Sequence, residues 1–214
     1  MRKDSSRLIL AIATAAMLWF YMFSPWTNGW PNFWIVMSFS AVILTTLGLT
    51  FTTDKKELLN VDRPLVQVMA GIAIAFALWG IFWVGDKVSA WLFAFARPEV
   101  DSVYAMKSGL PVWLIAVLLL CLIGPAEELF WRGYVQRTLG RVLGGKRPEN
   151  KAFIITAAIY ALVHIWSFNF MLVMAALVAG LVWGLIYRLR PQALPALIVS
   201  HALWDALVFV LLPI

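Results

Sequence analysis

The sequence predicts an all-α, polytopic membrane protein of about seven transmembrane helices with its N-terminus in the cytoplasm. Composition is the first observation behind this. Of 214 residues, 63% are apolar and 13% charged, with a mean hydropathy of +0.86, whereas a soluble domain is about half apolar and about a quarter charged. The second is a succession of apolar runs of the length a bilayer requires, roughly 20 residues for about 30 Å of hydrocarbon. The third is a one-sided distribution of basic residues. Together they exclude a soluble globular protein, a disordered chain and a secreted disulfide scaffold. Cys121, the one cysteine, lies within an apolar run, so an intramolecular disulfide is ruled out.

Between Arg7 and Asp54 there is no acidic or basic residue, and the stretch is too long for one helix. Ser24-Pro25-Trp26-Thr27-Asn28-Gly29-Trp30-Pro31-Asn32 breaks it with turn-forming residues. Two helices follow, at about 8–24 and 33–52. A third fits between Arg63 and Asp86, and a fourth runs from near Leu110 toward Arg137. Lys151 to Arg188 holds two short helices split near Ser167-Phe168-Asn169, and the last span covers about 192–212. Met1-Arg2-Lys3 and Ala11-Ile12-Ala13 have the look of a cleavable signal, but the apolar run continues well past that point, so a retained first span is expected. Val88 to Ala96, with Trp91, Phe93 and Phe95, is expected to form an outer interfacial helix. The chain reads as a single transmembrane domain over 1–214: three spans and an outer segment in 1–109, then a motif-bearing half in 110–214.

Cytoplasmic loops of membrane proteins are enriched in Lys and Arg. With the N-terminus inside, the inner segments hold Arg2, Lys3, Arg7, Lys55, Lys56, Arg63, Arg137, Arg141, Lys146, Arg147, Lys151, Arg188 and Arg190, thirteen in all. The outer segments hold three, Lys87, Arg97 and Lys107. That asymmetry accounts for the net charge of +6 by topology, so nucleic acid is not expected as a partner and the lipid bilayer is. Trp26, Trp30, Trp34 and Trp166 fall at outer turns, as an aromatic belt would.

Ionisable groups inside spans are costly and face a protein interior or a wet cavity. Six are present: Glu127, Glu128, Arg132, His164, His201 and Asp205. At about 1.5 Å of rise per residue, Glu127 stands roughly 15 Å, His201 roughly 16 Å and His164 roughly 20 Å from the nearest inner basic residue. Three helices thus bring polar groups to nearly one depth, which scattered structural residues have no reason to do. Residues at i and i+4 share a helix face, which pairs Glu128 with Arg132, His201 with Asp205 and Tyr160 with His164. Glu127 is left without a partner on its own helix. Gly124-Pro125 just before it should bend or open the helix, because proline donates no amide. Taken singly, Glu128–Arg132 reads as a structural ion pair and each histidine as a helix–helix hydrogen-bonding group. Convergence is what points to a site.

Glu-Glu-x-x-x-Arg, then aromatic-x-x-x-His, then His-x-x-x-Asp, in this order on separate helices from Leu110 onward, resembles the CPBP intramembrane proteases, the family that includes the type II CAAX prenyl endopeptidases. The resemblance implies a glutamic-type endopeptidase with its site inside the membrane, acting near the C-terminus or a membrane-proximal segment of a membrane-tethered polypeptide. By that analogy Glu127 is the general base that activates water, aided by His164. Glu128 and Arg132 are the supporting pair, and His201 and Asp205 stabilise the oxyanion. Tyr160 replaces the family's commoner phenylalanine and adds a hydroxyl to the site. Asp205 stands where asparagine is common, and an ionised aspartate repels an oxyanion, so it must carry a proton or serve to orient His201. Independently of the resemblance, a carboxylate without a partner and withdrawn from water suits proton transfer near neutral pH.

Two histidines and a carboxylate also make a catalytic zinc set, so Glu127, His164 and His201 would be the ligands of a zinc-dependent version. There is no His-Glu-x-x-His and no thiol ligand, and chemistry without a cofactor is the expectation. A non-catalytic bacteriocin-immunity or scaffold protein is the alternative from another class. A proton-coupled transporter is disfavoured by the lack of an inverted repeat. The size suits a multi-pass protein of a bacterial inner membrane, with bacteriocin precursors or sorting tails of surface proteins as substrates.

Overall fold

Long uncharged runs leave the backbone no partner but itself in an apolar medium, and the chain answers with helices. The computed structural model describes residues 2–27, 32–58 and 60–214, and no strand occurs among them. Among the described residues seven helices are long and apolar enough to cross a membrane: a first span Arg2–Phe23, a second Phe33–Phe51, a third Pro64–Leu92, a fourth Val112–Val142, a fifth Pro148–Ser167, a sixth Phe170–Leu189 and a seventh Pro191–Leu211. Asn28 to Pro31, including the expected belt residue Trp30, lie outside the described residues.

The span starts have local causes. Asn32 caps the second span, its side chain accepting from the Trp34 amide at 2.9 Å. Asn169 caps the sixth by accepting from the Leu172 amide at 2.7 Å. Pro64 and Pro148 occupy the first turn of the third and fifth spans, where the missing N–H costs nothing. The residues before them, Arg63 and Arg147, take left-handed conformations with φ of 50° and 52°, in keeping with the bias of a pre-proline residue away from the right-handed helix.

Three expectations need correction. The third span does not end at Asp86 but runs on to Leu92. Asp86 accepts from Arg97 at 2.6 Å and from Lys87 at 3.1 Å, so its buried charge is compensated without breaking the helix. The short extra helix is accordingly Ala96–Ala105, not Val88 to Ala96. Trp34 is not a belt residue either. It is buried at 2% exposure and donates from Nε1 to the Met106 carbonyl at 2.9 Å, whereas Trp26 is exposed.

Hydrogen bonds define the two ends of the bundle. At the basic end Arg137 pairs with Glu57, Arg141 with Asp54, and Arg188 with Asn150. At the far end Asn32 reaches the Ser108 carbonyl at 3.3 Å. There Glu99 accepts from the Met171 amide through its carboxylate at 2.8 Å, and from Asn169 Nδ2 through its backbone carbonyl at 2.8 Å. The seventh span is the hub. Gly71 of the third span and Gly124 of the fourth let it approach so closely that a Cβ at either would stand 2.6 Å from its backbone, the small-residue packing expected between membrane helices.

Candidate active site inside the helix bundle

The fourth span carries the acidic pair, and its backbone departs from a regular α-helix on both sides of it. Pro125 has no amide to donate, and the turn before it, Leu119–Ile123, is π-helical, with Gly124 N–H bonded to the Leu119 carbonyl five residues back. A second π-helical stretch, Leu129–Gln136, follows the pair. The expected disturbance at Gly124-Pro125 is therefore present, and it takes the form of a widened turn rather than a break. Such turns shift side-chain register and concentrate at functional sites.

Below the pair, toward the basic end, the polar groups are closed in. Glu128 and Arg132, both 0% exposed, pair at 2.7 Å. Arg132 also donates to the Gly180 carbonyl at 3.4 Å, and its guanidinium lies over the rings of Tyr160 and Trp183 at 5.0 and 5.4 Å. One turn further, Gln136 Nε2 donates to the Gly184 carbonyl at 2.8 Å. A buried charge needs this density of partners, because desolvation costs more than a single ion pair returns.

The seventh span brings His201, whose Nδ1 stands 2.8 Å from Glu128 Oε1. Glu128 is already held by Arg132 as an acceptor, so Nδ1–H is the donor. Asp205, one turn on, approaches Nε2 at 3.6 Å. His201 is thus oriented chiefly by Glu128, and Asp205 faces the nitrogen that remains. Its ring also stacks on Trp183, with centroids 4.0 Å apart and planes 20° apart, and Trp183 is fixed by donating to Ser200 Oγ at 3.0 Å.

The fifth span contributes Tyr160 and His164. Tyr160 donates its hydroxyl to Glu127 Oε2 at 2.8 Å, so the acid without an in-helix partner finds one on a neighbouring helix. His164 Nδ1 lies 2.8 Å from the Tyr160 carbonyl, which can only accept. Its Nε2 lies 3.1 Å from Trp19 Nε1, which can only donate. The two bonds fix a neutral ring protonated on Nδ1. In this arrangement neither nitrogen is free to take a proton from water, so His164 is not placed to act as the second base the resemblance implies. The same bonds leave it no lone pair for a metal, and no group of three metal-binding side chains stands together among the described residues. Glu127, His164 and His201 as arranged do not fit a zinc ion.

Glu127, Tyr160, His164, His201 and Asp205 all line one cavity of about 430 Å³. Its remaining wall is almost wholly apolar and rich in aromatic rings, among them Phe82, Phe170, Trp204 and Phe209. Glu128 and Arg132 lie behind that wall. Trp19 and Trp183 are neighbours of the candidate site that the sequence did not single out. A tryptophan in an apolar run carries no signal that separates ring packing from a hydrogen bond to a histidine.

Residues 108–207 match the family model described as Type II CAAX prenyl endopeptidase Rce1-like. The match includes every polar side chain of the site except Trp19, which belongs to the first span. No curated protein and no solved structure matches the chain. Its C-terminal half is thus similar to a family of membrane peptidases, in a chain with seven helices fit to span a bilayer.

Proposed function

We propose that the chain is an intramembrane endopeptidase in which Glu127 activates water to cleave a peptide bond of a membrane-tethered polypeptide, near its C-terminus or a membrane-proximal segment. One observation carries this reading: Glu127 is a buried carboxylate facing a cavity, bonded to a tyrosine rather than spent on a cation, while the neighbouring Glu128 absorbs Arg132 and orients His201. Two adjacent acids with such different surroundings suit two different tasks.

The chemistry balances with one water. Its oxygen attacks the carbonyl carbon while Glu127 takes the proton, and the carbonyl π pair moves onto oxygen. His201 enters the cycle as an imidazolium, its Nδ1–H held by Glu128, donates to that oxyanion from Nε2–H and keeps both protons throughout. Electrostatic support of this kind is commonly the largest contribution in acyl transfer. The C–N bond then breaks, its electron pair stays on nitrogen, and nitrogen takes the proton held by Glu127. A carboxyl and an amine leave, with no acyl-enzyme. Tyr160 positions Glu127, and Asp205 holds His201 from the Nε2 side. His164, locked by Trp19 and by the Tyr160 carbonyl, fixes the helix turn that aims Tyr160. No step is routed through zinc, and no nucleic acid takes part. The excess of basic residues in the inner loops supports an N-terminus in the cytoplasm and a bacterial inner membrane as the protein's location.

Mapping of new polypeptide termini by mass spectrometry, in membranes of cells producing the chain against cells lacking it, tests the reading. Termini that arise only with the chain, from membrane-anchored proteins, are the expected result. An unchanged set of termini would instead favour a non-catalytic immunity or scaffold role.

A further inference from the structure

The wall of the cavity that holds Glu127 is drawn from one end of the bundle. The third span contributes Phe82, Asp86 and Ser89, from its second half, and the sixth contributes side chains such as Phe170, Met174 and Ala175, from its first half. The short helix Ala96–Ala105 closes over it with Val100, Val103 and Tyr104, pinned by Glu99 to the start of the sixth span and by Arg97 to Asp86. Every one of these elements lies at the far end, away from the basic loops.

Between the acidic pair and the basic end lies a layer of fully buried side chains. Phe130, Trp131, Arg132 and Trp183 are 0% exposed and Gln136 is 4% exposed. Bonds from Arg132 to the Gly180 carbonyl and from Gln136 to the Gly184 carbonyl stitch the fourth span to the sixth below the acidic pair. Side chains buried this completely leave no passage for a peptide segment between Glu127 and that end.

We propose that the substrate reaches Glu127 from the end opposite the basic loops, as an apolar peptide segment passing beneath the helix Ala96–Ala105. Apart from the site's own groups, the ionisable side chains on the wall are Asp86, already paired with Arg97 and Lys87, and Tyr104. Burial holds the Tyr104 phenol above its ordinary range, so it presents a neutral hydroxyl to the segment. The wall therefore selects uncharged, bulky apolar side chains. With thirteen basic residues in the opposite loops, the open end is the extracytoplasmic one. The substrates are then polypeptides anchored with their scissile bond on the outer side, not lipidated tails of cytoplasmic proteins. The inference rests on the hydrolytic reading only for what the cavity does with the segment.

Single cysteines introduced in the full chain on a C121S background test it with a membrane-impermeant thiol reagent, trimethylammonioethyl methanethiosulfonate. Ala175→Cys and Ser89→Cys report the cavity wall, and Gly144→Cys, with open space around its Cα, reports the basic end. In intact cells both cavity cysteines should react at least about tenfold faster than in inverted vesicles, as thiol accessibility dictates, with Gly144→Cys showing the reverse. Reaction of the cavity cysteines from the same side as Gly144→Cys would overturn the proposal. So would their reaction with permeant N-ethylmaleimide alone. The labelling does not depend on turnover, so it fails or succeeds separately from the test of hydrolysis.

Discussion

The acidic pair shows how one step along a helix separates two chemistries. Glu128 is turned toward Arg132 and His201, and Glu127 toward Tyr160 and the cavity. Tyr160→Phe removes one hydrogen bond to a carboxylate, worth about 1.5–3 kcal/mol, so the cleavage rate should fall by roughly 10- to 100-fold. Thermal unfolding in detergent, run alongside, should change much less than the rate. Trp19→Phe keeps an aromatic ring but strips His164 Nε2 of its donor. Leaving a buried acceptor unpaired costs about 1–3 kcal/mol, to be read as a lower unfolding midpoint. An unchanged midpoint would remove the bond between Trp19 and His164 from the site. Glu127, Glu128, Arg132, His164, His201 and Asp205 were legible in the sequence because charge in an apolar run is expensive. Trp19 was not, since its partner lies 145 positions away and its own type is ordinary in a span.

Among the elements, the fourth and seventh spans set the geometry of the site, and their contact depends on Gly124. A Cβ there would stand 2.6 Å from Ala202 Cα and 2.7 Å from its backbone nitrogen. Gly124→Ala should therefore cost about 1–3 kcal/mol through forced backbone shifts, whereas Gly80→Ala, with nothing within 4 Å, should leave the unfolding midpoint in place. Equal midpoints for the two variants would contradict the close approach. Arg132→Met leaves Glu128 buried without its cation, a loss of about 3–5 kcal/mol, and it frees the acceptor that orients His201. Proline at 125 announced a disturbed turn. That the turn would be π-helical, with a second such stretch after the pair, was beyond reach, because a span that is apolar nearly all round has no clear periodicity in which a shifted register would show. The third span ran past Asp86 for a related reason: its partner Arg97 lies on the next helix, and a compensated charge does not end a span.

For the whole molecule, seven spans and the joint depth of the polar groups were legible because the bilayer imposes length and cost on every segment. Which end of the bundle opens was not, since the cavity is shaped by how helices lean and by where Ala96–Ala105 folds back. The donor set makes a further expectation at this scale. With both nitrogens of His164 engaged, cleavage in proteoliposomes should proceed at the same rate before and after dialysis against a strong chelator. Loss of activity that zinc restores would contradict that.

The most direct measurement is the initial cleavage rate of Glu127→Gln protein relative to the unaltered chain, in proteoliposomes, at the peptide bond mapped in cells and with matched unfolding midpoints. Loss of the general base predicts a drop of about 10²- to 10⁴-fold. A rate indistinguishable from that of the unaltered chain would contradict the assignment of Glu127, and with it the hydrolytic role of the buried site.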